Sequence, residues 1–318
     1  MLIVQKFGGS SLAGAERLRR AASIIADSAD AGNKVVAVVS ARGDMTDELL
    51  GEARRISADP PVRELDALLS CGETGSAAMT AMQLADIGKR CVSLTGAQAG
   101  ILTDGVHGAA RILSIDTARI MRELDAGKIV VAAGFQGAER GGDTTTLGRG
   151  GSDTTAVELA AALKADRCEI YSDVDGIYTA DPRLVTGAVR LDSIDYGDML
   201  HLALHGSQVL HSRSVEAAMR ANVRVHLLSS FTRHEGTVMC KLDDRSGLCG
   251  VTRDPSLGTV SIIGREADAH VLAEAVAALA HSDIIVTRTE LFDGGCSLFV
   301  SPDRLLPALE ITHRRFFR

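Results

Sequence analysis

The chemistry-bearing residues of this 318-residue chain gather where apolar runs give way to glycine. The longest such stretch runs from Gly134-Phe-Gln-Gly137 through Thr144-Thr-Thr-Leu-Gly-Arg-Gly-Gly-Ser-Asp-Thr-Thr-Ala156. Gly148, Gly150 and Gly151 let backbone amides approach a ligand without interference from a Cβ. A helix expected to follow offers free N–H groups and a partial positive charge, suited to an anion. Arg149 adds a cation whose planar fork matches a carboxylate or phosphate. The same residues would also serve as a glycine-rich surface loop with Ser152 or Asp153 as an ordinary helix cap. A second stretch, Lys6-Phe-Gly-Gly-Ser-Ser11, places a lysine just before a glycine turn. That lysine precedes its glycines, so this is not a G-x-x-x-x-G-K-[ST] phosphate loop. A lysine within an apolar strand calls for a charge partner, although a solvated edge-strand lysine is the simpler alternative.

Those residues need elements to position them. Apolar runs at Leu2–Phe7, Lys34–Val39, Lys128–Ala133 and Cys168–Ser172 read as strands, most of them buried. Helices are expected at 15–29, 48–56, 71–87, 116–125 and from Ala156. Residues 96–111 read as loop with short extended pieces. Ligands of open parallel sheets bind beyond the carboxyl ends of the strands, which is where Ser40, Thr46 and Asp47 fall. Thr46 or Asp47 could equally cap the helix from Glu48. Glu73, near the start of the helix expected from Cys71, suits the dipole there. The Asp173-to-Arg183 segment contains Asp-Gly and Asp-Pro turn pairs, with Tyr178 and Arg183 offering a stacking or phosphate-facing surface. Beyond a compositional change at 241–247, two helices and three strands predict a small α+β unit.

Composition narrows the function classes. Hydrophobic residues make up 46% and charged residues 24%, as in globular proteins. A net charge of −7 without a basic stripe argues against nucleic acid. An acidic chain that binds an anion must concentrate positive potential locally. The six cysteines form no C-x-x-C pair, so free thiols in a reducing cytoplasm are expected. No apolar run is long enough for a membrane span, and no signal peptide is evident at the N-terminus. His201, His205, His211 and His226 lack metal-ligand spacing apart from the i, i+4 pair at 201 and 205, and are expected to be surface or core residues.

Taken in order, Lys6-Phe-Gly-Gly-Ser-Ser11, Ser40 to Leu49, Gly72-Glu73, Gly134-Phe-Gln-Gly137, Thr145 to Asp153 and Ser172 to Arg183 resemble aspartate kinase. Val209 to Val215 and Ser229-Ser-Phe231 match as well. The resemblance implies a three-layer amino-acid-kinase sandwich with a mostly parallel central sheet over residues 1–240. It implies a linker at 241–250 and a small α+β ACT-like domain at 251–318. The activity implied is transfer of the ATP γ-phosphoryl group to the β-carboxylate of L-aspartate, at the head of lysine, threonine and methionine biosynthesis. Lys6 and Asp153 are then the catalytic residues, Lys6 on the transferring group and Asp153 orienting it or a Mg²⁺-bound water. Ser40, Thr46, Glu73 and Arg149 would bind aspartate, Arg149 through a carboxylate and Glu73 through the ammonium. Lys6, Gly8, Gly9, Ser172, Asp173, Tyr178, Asp181 and Arg183 would bind the nucleotide. Mg²⁺ is expected to come with ATP, with no residue assigned as its ligand.

Two departures from the family pattern stand out. One ACT-like unit fits the C-terminal part, where feedback-sensitive members carry two, which predicts weak or absent inhibition by lysine and threonine. Cys71 stands where serine is more familiar. A homodimer through the ACT-like unit is expected, because its sheet leaves an edge to pair. The alternatives are a related kinase for another acidic amino acid and a non-catalytic homologue that keeps the fold.

Overall fold

The strand–helix alternation begins at the first residues, and the structure, a computed structural model, describes residues 1–232, 234–243 and 246–317. The chain runs through β1 (Leu2–Phe7), α1 (Gly9–Leu12), α2 (Gly14–Asp30), β2 (Lys34–Val39), α3 (Met45–Ile56), α4 (Val62–Asp86), β3 (Cys91–Leu94), β4 (Ile101–Thr103) and β5 (Ile112–Ile115). It continues with α5 (Ala118–Asp125), β6 (Ile129–Ala133), β7 (Gln136–Ala138), β8 (Thr144–Thr146), α6 (Gly151–Leu163), β9 (Arg167–Ser172), β10 (Ser193–Asp195), α7 (Tyr196–Leu204) and α8 (Ser212–Ala221). The last elements are β11 (Val225–Ser229), β12 (Thr237–Cys240), β13 (Leu248–Asp254), β14 (Thr259–Gly264), α9 (Ala269–Ala280), β15 (Arg288–Phe292), β16 (Gly295–Phe299) and α10 (Leu305–Phe316). Two compact units result, one of Met1–Asp175 with Arg220–His234, the other of Gly176–Met219 with Glu235–Arg318.

The first unit is built on strands in the order β11-β9-β1-β2-β6-β3, every neighbouring pair parallel. β2 and β6 are apolar at almost every position because both faces of the sheet are covered. On one face Val35, Ala37 and Val39 join Ala22 and Ile25 of α2 and Leu84 of α4 in a single core. Val36 and Val38 alternate to the other face and are fully buried there, where α6 packs on β1 and β2.

Some expectations change at this point. The loop expected at 96–111 contributes β4 to a second, small sheet in the order β5-β4-β7-β8. The Gly134-to-Ala156 stretch is not a direct strand-to-helix connection: β7 and β8 form a hairpin within it, with Gln136 opposite Thr146. Helix α4 is continuous for 25 residues, so Glu73 lies in its middle and owes nothing to a helix terminus. Gly72 and Gly75, which suggest a break, are accommodated inside the helix. At Gly72 the reason is contact, because a Cβ there would come 2.8 Å from that of Ala41. Helix α3 starts at Met45 after Asp44, so neither Thr46 nor Asp47 caps it.

The second unit carries an antiparallel sheet in the order β13-β14-β16-β15, the α+β arrangement expected of an ACT-like unit. Val251, Val260, Ile262 and Leu298 pack with Ala275 and Leu279 of α9 and Ala308 and Leu309 of α10. Leu248–Gly250, assigned from sequence to the linker, belong to β13, and Asp244 and Arg245 of that linker lie outside the described residues. Ala180 and Val185 are buried in the same core. Part of the segment expected in the 1–240 domain is therefore folded into this unit. The short strand β12, paired in parallel with β10, was also not expected.

Asp66 of α4 ties the small sheet of the first unit together. It is 1% exposed and accepts hydrogen bonds from Gly108 N (3.0 Å), Thr146 N (3.0 Å) and Thr146 Oγ1 (2.5 Å), with His107 Nδ1 at 2.9 Å. Removing it would strand the two buried donors of Thr146. Asp66→Ala is expected to lower the unfolding free energy by about 3 kcal/mol or more. Lys34→Ala, which breaks only the exposed pair with Asp125, should cost less than about 1 kcal/mol. Urea unfolding of both variants checks the contrast.

Candidate active site

Parallel register aligns the strand ends. Phe7 lies opposite Val39 of β2 and Tyr171 of β9, and Val39 lies opposite Ala133 of β6. The ladder runs one residue past each tip: Gly8 N donates to Tyr171 O, Ser40 N to Phe7 O, Gly134 N to Val39 O and Ser230 N to Ser172 O. The Gly8 amide, expected to line phosphates, is therefore already used. The next amides at two of these tips are also held, Ala41 N by Glu73 Oε1 at 3.0 Å and Phe135 N by Thr155 Oγ1 at 3.1 Å. At the β1 tip Gly9 opens α1, where a helix amide has no preceding carbonyl to bond. Gly9 must be glycine, since a Cβ would come 2.6 Å from Ala41 O.

Lys6 and Asp153 meet beside these tips, their Nζ and Oδ1 atoms 2.7 Å apart. Lys6 is 8% exposed and sits on β1, which is paired on both sides, by β9 and β2. Asp153 lies in the first turn of α6, where the helix dipole favours a carboxylate. Asp153 Oδ1 has no hydrogen-bond partner among the described residues, so the contact with Lys6 is an ion pair. Gly150 caps α6 in the left-handed conformation with φ 69°, and Gly148 has φ 74°. These glycines serve backbone conformation first. Phe135 holds φ 66°, a strained value for an aromatic residue, at the tip of β6. Arg149, between the two glycines, is exposed and makes no side-chain hydrogen bond or ion pair within the described residues.

Glu73 is the most perturbed carboxylate at the sheet edge. It is 4% exposed; its Oε1 accepts from Ala41, and its Oε2 has no partner among the described residues. Burial pushes its carboxyl up to about 7, with the Ala41 amide opposing part of the shift. Ser40, at the β2 tip, and Thr46, in the first turn of α3, are half-buried nearby in sequence. Arg42 was not singled out from sequence. Its Nε is buried without a partner, one residue from the amide that holds Glu73. The sequence signal was only its place after a strand, which is also where ordinary loop arginines occur.

The Ser172-to-Arg183 segment crosses the boundary between the units at Asp175. In the first unit the Ser172 hydroxyl is engaged with the Val174 amide and carbonyl, both at 3.3 Å, and Asp173 is exposed. Phe7 and Tyr171 stack with ring centroids 4.8 Å apart, and Ser230 Oγ links Ser11 Oγ to Ser172 O. In the second unit Tyr178 pairs with Arg190 in a short bridge. Arg183 and Asp181 bind each other through Nε (3.0 Å) and Nη2 (2.9 Å), and that pairing holds the Asp181 carboxyl below its ordinary range. The phosphate-facing surface expected from Arg183 is thus largely neutralised by its neighbour. The described residues contain no group of three or more His, Cys, Asp or Glu able to hold a metal.

The amino acid kinase family model matches residues 1–229. The aspartokinase of Mycolicibacterium smegmatis is 48% identical over 290 residues, which is 89% of this chain and 69% of that protein. The crystal structure of aspartate kinase from Synechocystis superposes with a TM-score of 0.70 at 37% identity, covering 99% of this chain and 55% of that one. E. coli aspartokinase III in complex with aspartate and ADP superposes with a TM-score of 0.71 at 26% identity, covering 98% of this chain and 84% of that one. This chain thus spans little more than half of the Synechocystis chain.

The raised Glu73 carboxyl makes stability depend on pH. The folded state holds the proton more tightly than the unfolded chain does. The group's contribution is complete below pH 4.5 and is lost as the pH rises through about 7. Glu73→Gln should remove that loss, on the order of 3 kcal/mol in full. Urea unfolding without ligand should show the variant gaining on the wild type between about pH 5 and pH 8. A difference that does not change with pH would contradict the assignment.

Proposed function

This chain belongs to the amino acid kinase family and, within it, to the aspartokinases, and we propose that it transfers the ATP γ-phosphoryl group to the β-carboxylate of L-aspartate. The observation that carries the acceptor assignment is the buried, unpartnered Oε2 of Glu73, which suits the ammonium of an α-amino acid. An ammonium there would lower the Glu73 carboxyl back towards its ordinary range and relieve the cost of burying it as an anion. Arg149 clamps an aspartate carboxylate. Ser40 and Thr46 complete the pocket, and the Arg42 guanidinium adds positive charge beside it.

The acceptor carboxylate is ionised at neutral pH, so the reaction needs no general base. A carboxylate oxygen attacks the γ-phosphorus, the bond from that phosphorus to the β–γ bridging oxygen breaks, and ADP leaves with the electron pair. The obstacle is repulsion between two anions, so fixed positive charge carries the catalysis. Lys6 meets the transferring group. Asp153 keeps the Lys6 ammonium in place and is the carboxylate that would meet a Mg²⁺-bound water. Mg²⁺ bound to the phosphates neutralises part of their charge. The resemblance assigns Gly9, Ser172, Asp173, Tyr178, Asp181 and Arg183 to nucleotide binding, with Gly8 serving the turn. We place the protein in the cytoplasm, which its six free thiols suit. Among the described residues no helix is long and apolar enough to cross a membrane.

We further propose a catalytic domain over 1–240, a homodimer through the ACT-like unit, whose strand β15 is an exposed edge, and a place in lysine, threonine and methionine biosynthesis. Lysine and threonine should inhibit weakly or not at all. An activity assay with each at millimolar level tests this, and strong inhibition would contradict it.

Lys6→Ala should cut kcat by a factor on the order of 10³ or more while leaving the fold intact by circular dichroism. Arg149→Ala should raise KM for aspartate by roughly 10- to 100-fold with KM for ATP little changed. Coupled ADP-release kinetics with L-aspartate check both. Unchanged turnover in Lys6→Ala would remove the proposed mechanism.

A further inference from the structure

Thr179 lies inside the segment assigned above to the nucleotide, next to Tyr178 and two residues before Asp181. It is 6% exposed, and its hydroxyl has two partners. Val189 N–H donates to Oγ1 at 3.0 Å, and Oγ1 lies 2.9 Å from Nε2 of His313 on α10. Among the described residues no other acceptor is within reach of the hydroxyl proton. The Thr179 hydroxyl and His313 Nε2 are therefore hydrogen-bond partners, the direction set by the imidazole tautomer. His313 is 3% exposed, and burial alone holds it below the ordinary imidazole value, in keeping with the neutral form. Its ring stacks on Phe317, with centroids 5.2 Å apart.

The Thr179 backbone is fixed as firmly. Its N–H donates to Val189 O at 2.9 Å, and its carbonyl accepts from Val251 N of β13 at 2.7 Å. Tyr178 pairs with Arg190 in the same excursion, and Ala180 is buried in the core that β13, β14 and α10 share. His313 thus joins α10 to a residue whose backbone is already held on both sides.

We propose that His313 is a positioning residue for nucleotide binding: from α10 it holds the Thr179 hydroxyl and so fixes the placement of Tyr178 and Asp181. Affinity for ATP then depends on how α10 is seated in the C-terminal unit, whereas aspartate binding does not. This inference rests on the assignment of the Ser172-to-Arg183 segment to the nucleotide.

The test is steady-state kinetics of the full chain with ATP and L-aspartate varied separately. His313→Leu, which removes the hydrogen-bond partner of Thr179, should raise KM for ATP about fivefold or more, with kcat and KM for aspartate within about twofold of wild type. His313→Gln, which offers a carbonyl near the place of Nε2, should restore KM for ATP. If His313→Leu fails to fold, Thr179→Val should give the same selective rise and Thr179→Ser should not. An unchanged KM for ATP in folded His313→Leu or Thr179→Val would overturn the proposal. So would a parallel loss in KM for both substrates and kcat, which a merely structural role would give. Tyr178→Ala separates the two levels of the argument. If it raises KM for ATP while the His313 and Thr179 variants do not, the positioning role alone falls. If it leaves KM for ATP unchanged, the nucleotide assignment and the positioning role fall together.

Discussion

A lysine buried in the middle of a parallel sheet is costly unless its charge is answered, and the contact of Lys6 with Asp153 answers it. Much of the first unit is arranged to make that contact possible. β1 lies between β9 and β2, so Lys6 is carried by a strand held from both sides. The long connection after β6 returns through a hairpin to start α6 with Asp153 in its first turn. The pair is nearly dry but not sealed, so an arriving anion can compete for the ammonium without opening the core. The same constraint explains the glycines. Gly9 permits the β1 and β2 tips to touch, and Gly72 lets α4 approach the β2 tip closely enough for Glu73 to reach the Ala41 amide.

At the pocket proposed for the acceptor, a carboxylate oxygen of Glu73 and Nε of Arg42, both without a partner among the described residues, lie buried near the same strand end. Neither satisfies the other within ion-pair distance, an arrangement complementary to a ligand that carries both signs of charge. Among the residues proposed for the nucleotide, Asp181 pairs with Arg183 and Lys6 with Asp153.

The parallel sheet was legible in the sequence because its buried strands are uninterrupted apolar runs, and Lys6 was legible because it breaks one of them. Lys6 with Asp153 is the predicted pair that the structure brings into contact. Glu73 was legible as a residue but not in its setting, since Gly72 and Gly75 imitate a helix start and only the distance to Ala41 explains them. The small sheet was missed because three-residue strands such as Gln136–Ala138 carry too little periodicity to register. The role of Asp66 depends on Thr146, 80 residues away, which no local pattern reports. The bonds of the Gly8 amide to the sheet ladder and of the Ser172 hydroxyl to Val174 were not legible, because they depend on tertiary register and on the turn. The start of β13 was hidden by a polar stretch that resembles a linker.

The account stands on an acceptor carboxylate that becomes phosphorylated beside fixed cations, and the product itself reports it most directly. Hydroxylamine intercepts an acyl phosphate as a hydroxamate. The account predicts that the protein with ATP, Mg²⁺ and L-aspartate yields aspartyl hydroxamate and ADP in equal amounts, and neither product when Lys6 is replaced by alanine. ADP released without hydroxamate, or hydroxamate formed as readily by Lys6→Ala, would contradict it.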